Sequence, residues 1–184
     1  MRTVLVAILM VTACGNDGGG AAPDASDGPG ASPDAALGED LDMTAADFGC
    51  IQRGTHVRQF FVWNLRGHLD QALAVAGSAT GGTYPVGTVI QLVPQEAMVK
   101  RAVGWNPTTN DWEFFALQVS GTTTTISARG VENVANAFGG NCFNCHAQAQ
   151  PQWDLICEKT HGCAPLQISD QLITNLQNGD SRCP

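Results

Sequence analysis

Between residues 84 and 130 the chain carries four short runs rich in β-branched and aromatic residues: YPVGTVIQLV, EAMVKRAVGW, DWEFFALQVS and TTTTISARG. Turn chemistry such as Asn106-Pro107-Thr108-Thr109-Asn110 separates them. Parallel neighbours need a crossover of about a dozen residues or more, and these links are too short to supply one. The runs therefore predict an antiparallel meander, around which the rest of the chain must pack.

Upstream, THVRQFFVWNLRGHLDQALAVAG repeats Val57, Phe60, Phe61, Leu65, Leu69, Leu73 and Ala76 at three- and four-residue intervals. That spacing predicts a helix, ended by Gly77 and the SATGGT after it. Downstream, VENVANAF predicts a helical turn leading into GGNCFNCHAQAQ, and ISDQLITNLQ predicts a helix capped by Ser169. The expected class is α+β: an antiparallel β meander with an N-terminal helix and short C-terminal helices.

The first residues, MRTVLVAILMVTAC, place Arg2 before an apolar run from Val4 to Val11 and small residues before Cys14. This is the layout of an export signal, too short for a permanent membrane span. Val11-Thr12-Ala13-Cys14 resembles the bacterial lipobox, in which the cysteine is lipidated and becomes the first mature residue. Residues 1–13 are read as the signal and 14–47 as a lipidated, disordered Gly/Ala/Pro/Asp linker. Residues 48–184 are read as a single domain with enough apolar residues for a core. Eight acids (Asp17, Asp24, Asp27, Asp34, Glu39, Asp40, Asp42, Asp47) and no base fall in 15–47. The formal charge of −8 is therefore largely the linker's. No basic patch points to nucleic acid. The expected location is the bacterial cell envelope, on the periplasmic or outer-membrane face, held to the bilayer through Cys14.

An exported chain should oxidise its spare thiols. Of seven cysteines, Cys14 goes to lipid, and Cys142 and Cys145 stand apart in CFNCH. Four remain, which allow three pairings. We favour Cys157–Cys163, close in sequence, and Cys50–Cys183, which ties the ends of the domain together. The second closes a loop worth about 4–5 kcal/mol in the chain-entropy model.

Cys142-Phe143-Asn144-Cys145-His146 has three chemical readings. A c-type haem needs two thiols to add across its vinyl groups and an adjacent imidazole for the iron. Zinc needs two further ligands, for which Cys157, His161 and Cys163 are the candidates. A thioredoxin-like dithiol belongs at a helix start in a βαβ unit, which a meander does not provide. The haem reading uses every residue of the motif and leads: one covalent haem c, with Cys142 and Cys145 as attachment points and His146 as proximal ligand. Zinc remains the weaker alternative, as a zinc-stabilised surface lipoprotein.

Tyr84-Pro85-x-Gly87-Thr88, Met98-Val99-Lys100-Arg101 and Asp111-Trp112-Glu113-Phe114-Phe115, followed by CFNCH, resemble the cytochrome P-460 family, which includes the cytochromes called c′-beta. The likeness covers roughly residues 84–154. It implies one covalent haem packed against the sheet near the C-terminus, a homodimer, and iron with histidine on one side and an open or capped pocket on the other. Some members oxidise hydroxylamine, whereas c′-beta members bind nitric oxide or other small gases. In the hydroxylamine-oxidising members a lysine is joined to the haem, between the first helix and the YPxG strand. The matching stretch here, DQALAVAGSATGGT, contains none. The resemblance therefore implies small-ligand binding or electron transfer with a redox partner protein. Oxidation of hydroxylamine or nitric oxide is the alternative.

Alternation along EAMVKR puts Glu96, Met98 and Lys100 on one face of a strand. Glu96 is a candidate proton acceptor, Lys100 a catalytic candidate if it substitutes for the missing lysine, and Met98 a candidate distal ligand. Their plainer roles are a solvated Glu/Lys pair and a core methionine. Phe114 and Phe115 should point to opposite faces, one of them lining the pocket or the core. His56, His68 and His161 compete as distal ligands, although surface histidines more often serve structural hydrogen bonds. Trp153 reads most simply as a large core residue near the cofactor.

Overall fold

The computed structural model describes residues 40–158, 161, 163 and 168–184. The signal at 1–13, the lipidation site Cys14 and the linker through residue 39 lie outside the described residues. Six antiparallel strands form one sheet in the order β1-β2-β3-β4-β5-β6: β1 Thr55–Val57, β2 Phe60–Asn64, β3 Thr88–Gln91, β4 Glu96–Lys100, β5 Trp112–Ser120 and β6 Thr123–Gly130. Every strand pairs with its sequence neighbour, so the sheet is the meander that the turn chemistry predicts. Among the described residues three α-helices accompany it, α1 Leu69–Gly77, α2 Cys142–His146 and α3 Asp170–Asn178, besides short 3-10 turns. The class is α+β.

The N-terminal helix is shorter than its periodicity predicts. Residues 55–64 instead form the β1–β2 hairpin, with His56 opposite Phe61 and Val57 opposite Phe60. Thr55, Val57, Phe60, Phe61, Val62 and Trp63 are β-branched or aromatic and suit a pleated surface. Arg58 takes a left-handed φ of 54° to turn the chain between them. Because both faces of this sheet are covered, β2 reads as a continuous apolar run, which helical spacing also accommodates. Helix formation waits for the alanine-rich LDQALAVAG, whose Ala72 and Ala76 are both buried against the sheet.

One face of the sheet packs Val62, Ile90, Met98, Trp112 and Phe114 against α1, Cys142 and Ile156. The opposite face packs Val89, Ala97, Val99 and Phe115 against Met43 and Phe48. The Phe48 and Phe115 rings lie 4.9 Å apart. The last eight residues of the stretch read as linker are thus part of the packed chain. Met43 is buried, and Asp40 pairs with Arg101 at 2.6 Å. Phe114 and Phe115 point to opposite faces, as alternation requires.

VENVANAF contains no helix. Val134 is buried, Ala135 bridges to Asn141, and the Asn136 side chain accepts from the backbone N–H groups of Phe138 and Gly140. An asparagine offering its side chain to nearby backbone favours such a turn over a helix. The late helix α3 forms where expected, and Ser169 caps it by accepting from the Leu172 N–H at 3.2 Å. Cys50 is bonded to Cys183 and Cys157 to Cys163, which is the favoured one of the three pairings that the cysteine count allows.

Candidate functional site

The α2 helix is the five residues CFNCH themselves, started by Asn141, whose side chain accepts from the Asn144 N–H at 2.9 Å. It lies over the sheet face that carries Phe114, whose ring is 5.3 Å from that of His146 and 6.2 Å from that of Phe143. Between helix and sheet is a cleft of about 1070 Å³, open solvent included. Cys142, Cys145 and His146 line one side of it, and Ile90, Met98 and Phe114 line the other. The three residues singled out in the motif therefore share one apolar cavity.

Cys142 and Cys145 are the free cysteines among the described residues. Burial, with the Glu96 carboxylate adding to it, pushes the Cys142 thiol up to about 12. The same two causes raise Cys145. Both are held as neutral thiols. Burial lowers the pKa of His146, which favours the neutral imidazole. Its Nδ1 lies 2.7 Å from the Leu155 carbonyl oxygen. A carbonyl can only accept, so Nδ1 carries the proton and donates, leaving the Nε2 lone pair free to bind a metal. A backbone carbonyl that orients an imidazole in this way is a recurrent feature of metal-ligating histidines.

Leu155 is positioned by its neighbour Asp154, which the sequence does not mark. Asp154 takes a left-handed φ of 50° and is buried. Its side chain accepts from the Tyr84 N–H at 2.9 Å and from Lys100 Nζ at 2.9 and 2.7 Å. Its carbonyl accepts from Trp112 Nε1 at 2.8 Å. One aspartate thus ties the segment after CFNCH to β4, β5 and the YPVG turn.

Glu96 and Met98 line the cleft, as their shared face predicts. The Glu96 carboxylate accepts from the Ala137 N–H at 2.7 Å, and burial pushes its pKa above the ordinary value of 4.5. Lys100 shares that face but does not line the cleft. It is buried over the Trp112 ring, bonded to Asp154 and to the Asn110 carbonyl. Its role is structural, because its three donors are committed away from the cavity. None of the competing histidines lines the cleft. His56 packs on Phe61, His68 precedes α1, and His161 stacks on Trp153 with ring centroids 3.8 Å apart. Trp153 lies in that stack rather than in the cleft.

The raised Glu96 carboxyl has a measurable consequence. A group whose folded pKa is raised stabilises the fold fully below its unfolded value and loses that contribution as pH rises through the folded pKa. Denaturation midpoints across a pH series should therefore show Glu96→Gln gaining stability relative to the wild type as pH rises above about 4.5. Parallel curves for the two chains would remove the assigned burial effect.

Cys157 and Cys163, which a zinc site at CFNCH would recruit, are bonded to each other. Among the described residues the only trio of close metal-type ligand atoms is Cys50, Asp180 and Cys183, where both sulfurs are in a disulfide. A thioredoxin-like site lacks its βαβ frame, since the sheet is antiparallel throughout. Among the described residues no helix is long and apolar enough to cross a membrane. No protein family, no curated protein and no solved structure matches the chain.

Proposed function

We propose that this chain is a lipid-anchored c-type cytochrome carrying one covalent haem, attached through Cys142 and Cys145 with His146 Nε2 as the proximal ligand. The supporting observation is the convergence on one apolar cleft of two free thiols and an imidazole with its Nδ1 already committed, while four other cysteines are paired. That donor set fits haem c, and the apolar wall of Ile90, Met98 and Phe114 suits a flat hydrophobic cofactor. When bound, the haem supplies an iron that takes up an electron or a small ligand. The chain's part is to hold His146 in one tautomer, to keep water from the apolar wall, and to present Met98 and Glu96 across the cleft.

The motifs that resemble the P-460 and c′-beta cytochromes support binding of small ligands of the nitric oxide type, electron transfer to a redox partner, or both. Commitment of Lys100 to Asp154 argues against a lysine joined to the haem. A second reading, oxidation of hydroxylamine or nitric oxide, is favoured by Glu96, a carboxyl of raised pKa in the cleft that can accept a proton. Cys14 would hold the protein to the envelope membrane, with the domain on the periplasmic or outer-membrane face.

The experiment is the absorption spectrum of the full chain matured with haem and reduced, with and without carbon monoxide or nitric oxide. A spectrum that shifts with either gas is expected for ligand binding. A low-spin spectrum indifferent to both would reject an open pocket, leaving electron transfer as the role and Met98 as the candidate sixth ligand. A red-shifted Soret band of the lysine-linked kind would overturn the placement of Lys100. A colourless protein containing zinc would overturn the haem proposal.

A further inference from the structure

The cluster of sulfurs behind CFNCH goes beyond the binding of a cofactor. Cys145 Sγ lies 4.0 Å from Cys157 Sγ, and Cys157 Sγ lies 3.3 Å from the Cys145 carbonyl oxygen. A free thiol thus sits against a formed disulfide, and the backbone carbonyl of the same residue touches the same sulfur. The geometry points to a thiol–disulfide exchange site in which Cys145 displaces Cys163 and bonds to Cys157.

The step balances within the chain. Cys145 is held as a neutral thiol, so the step needs alkaline solution: hydroxide takes its proton, its sulfur attacks Cys157 Sγ, and a Cys145–Cys157 bond forms as the Cys157–Cys163 bond breaks. The displaced electron pair leaves on Cys163, which takes up the proton that Cys145 released. One disulfide replaces another, so no external oxidant or reductant is required. Cys157 is the sulfur near Cys145, which makes Cys163 the leaving group. The Cys163 sulfur lies 4.0 Å from the His161 carbonyl oxygen, an acceptor for the S–H it would gain. Both partners of the new bond are partly exposed, so a small side-chain rotation can close the gap. The exchange belongs to the chain before the cleft is filled, because the haem proposed above would itself engage Cys145. Any occupant that engages Cys145 covalently would stop it.

The test uses the full chain made without haem attachment, incubated at mildly alkaline pH, quenched in acid, alkylated and digested. Mass spectrometry of the linked peptides then reports the pairing. The expected result is a Cys145–Cys157 peptide from at least about a tenth of the molecules, a tenfold equilibrium ratio being modest for related disulfides. Cys163→Ser, which leaves Cys157 without its partner, should carry that link in most molecules once oxidised with glutathione disulfide, which takes up the two electrons and leaves as glutathione thiol. A smaller share in the wild type, with Cys145 alkylated throughout, would overturn the proposal. Free Cys145 and Cys157 in Cys163→Ser after that oxidation would overturn it as well, whatever the wild type shows. The wild-type measurement needs no variant to fold.

Discussion

Asp154→Ala should lower the unfolding free energy by about 3–5 kcal/mol, the usual cost of removing one partner from a buried ion pair. A domain of this size has roughly 5–15 kcal/mol in total, so the variant should be close to unfolding at physiological temperature. The loss has three sources. Lys100 would be left as a charge in the sheet core without its anion, and it is only 5% exposed. The Tyr84 N–H would lose its acceptor. The left-handed turn at Asp154 and Leu155 would lose its anchor, and with it the Leu155 carbonyl that orients His146. Asp154→Asn, which retains an acceptor for Tyr84, should cost less than Asp154→Ala. Urea denaturation of the three chains checks the order, and a loss below about 1 kcal/mol for Asp154→Ala would mean that the pair contributes no more than a surface salt bridge.

Replacing Cys142 and Cys145 together by serine should abolish covalent haem while leaving the fold intact. Neither thiol takes part in a disulfide and serine is close to cysteine in size, so the fold should persist, at a cost of about 1–3 kcal/mol for a hydroxyl at the buried Cys142 position. The absence of haem that survives acid denaturation, alongside a cooperative urea transition, would be the predicted pair of results. Retention of covalent haem in that double variant would place the attachment elsewhere. His146→Ala offers the complementary result. Its thioether bonds should form, while the reduced spectrum should change because the iron has lost its proximal imidazole.

The strands after Tyr84 are legible in the sequence because each is bounded by turn residues and none has room for a crossover. Residues 55–64 are not, because a strand buried on both faces and a helix with a wide apolar stripe can carry the same apolar spacing. Composition would have separated them, since the hairpin is β-branched and aromatic while the helix that follows is alanine-rich. The packed stretch 40–47 is also hidden. Its polar composition reads as linker, yet Met43 is buried against the sheet and Asp40 pairs with Arg101 and accepts from the Ala102 N–H. At the site, the alternation of β4 reveals that Glu96, Met98 and Lys100 share a face. It cannot reveal which of them the cleft reaches, because Lys100 is claimed by an aspartate 54 positions away. Asp154 itself has no local signal beyond being a residue type that tolerates the left-handed region. The tautomer of His146, set by a backbone carbonyl, is equally invisible in sequence.

The central claim, a haem held covalently at CFNCH, is tested most directly by the mass of the denatured full chain after maturation in a host that attaches haem. The account predicts a chain heavier by one haem, with the added mass on the peptide that contains Cys142 and Cys145. A chain of unmodified mass, with both cysteines open to alkylation, would contradict it.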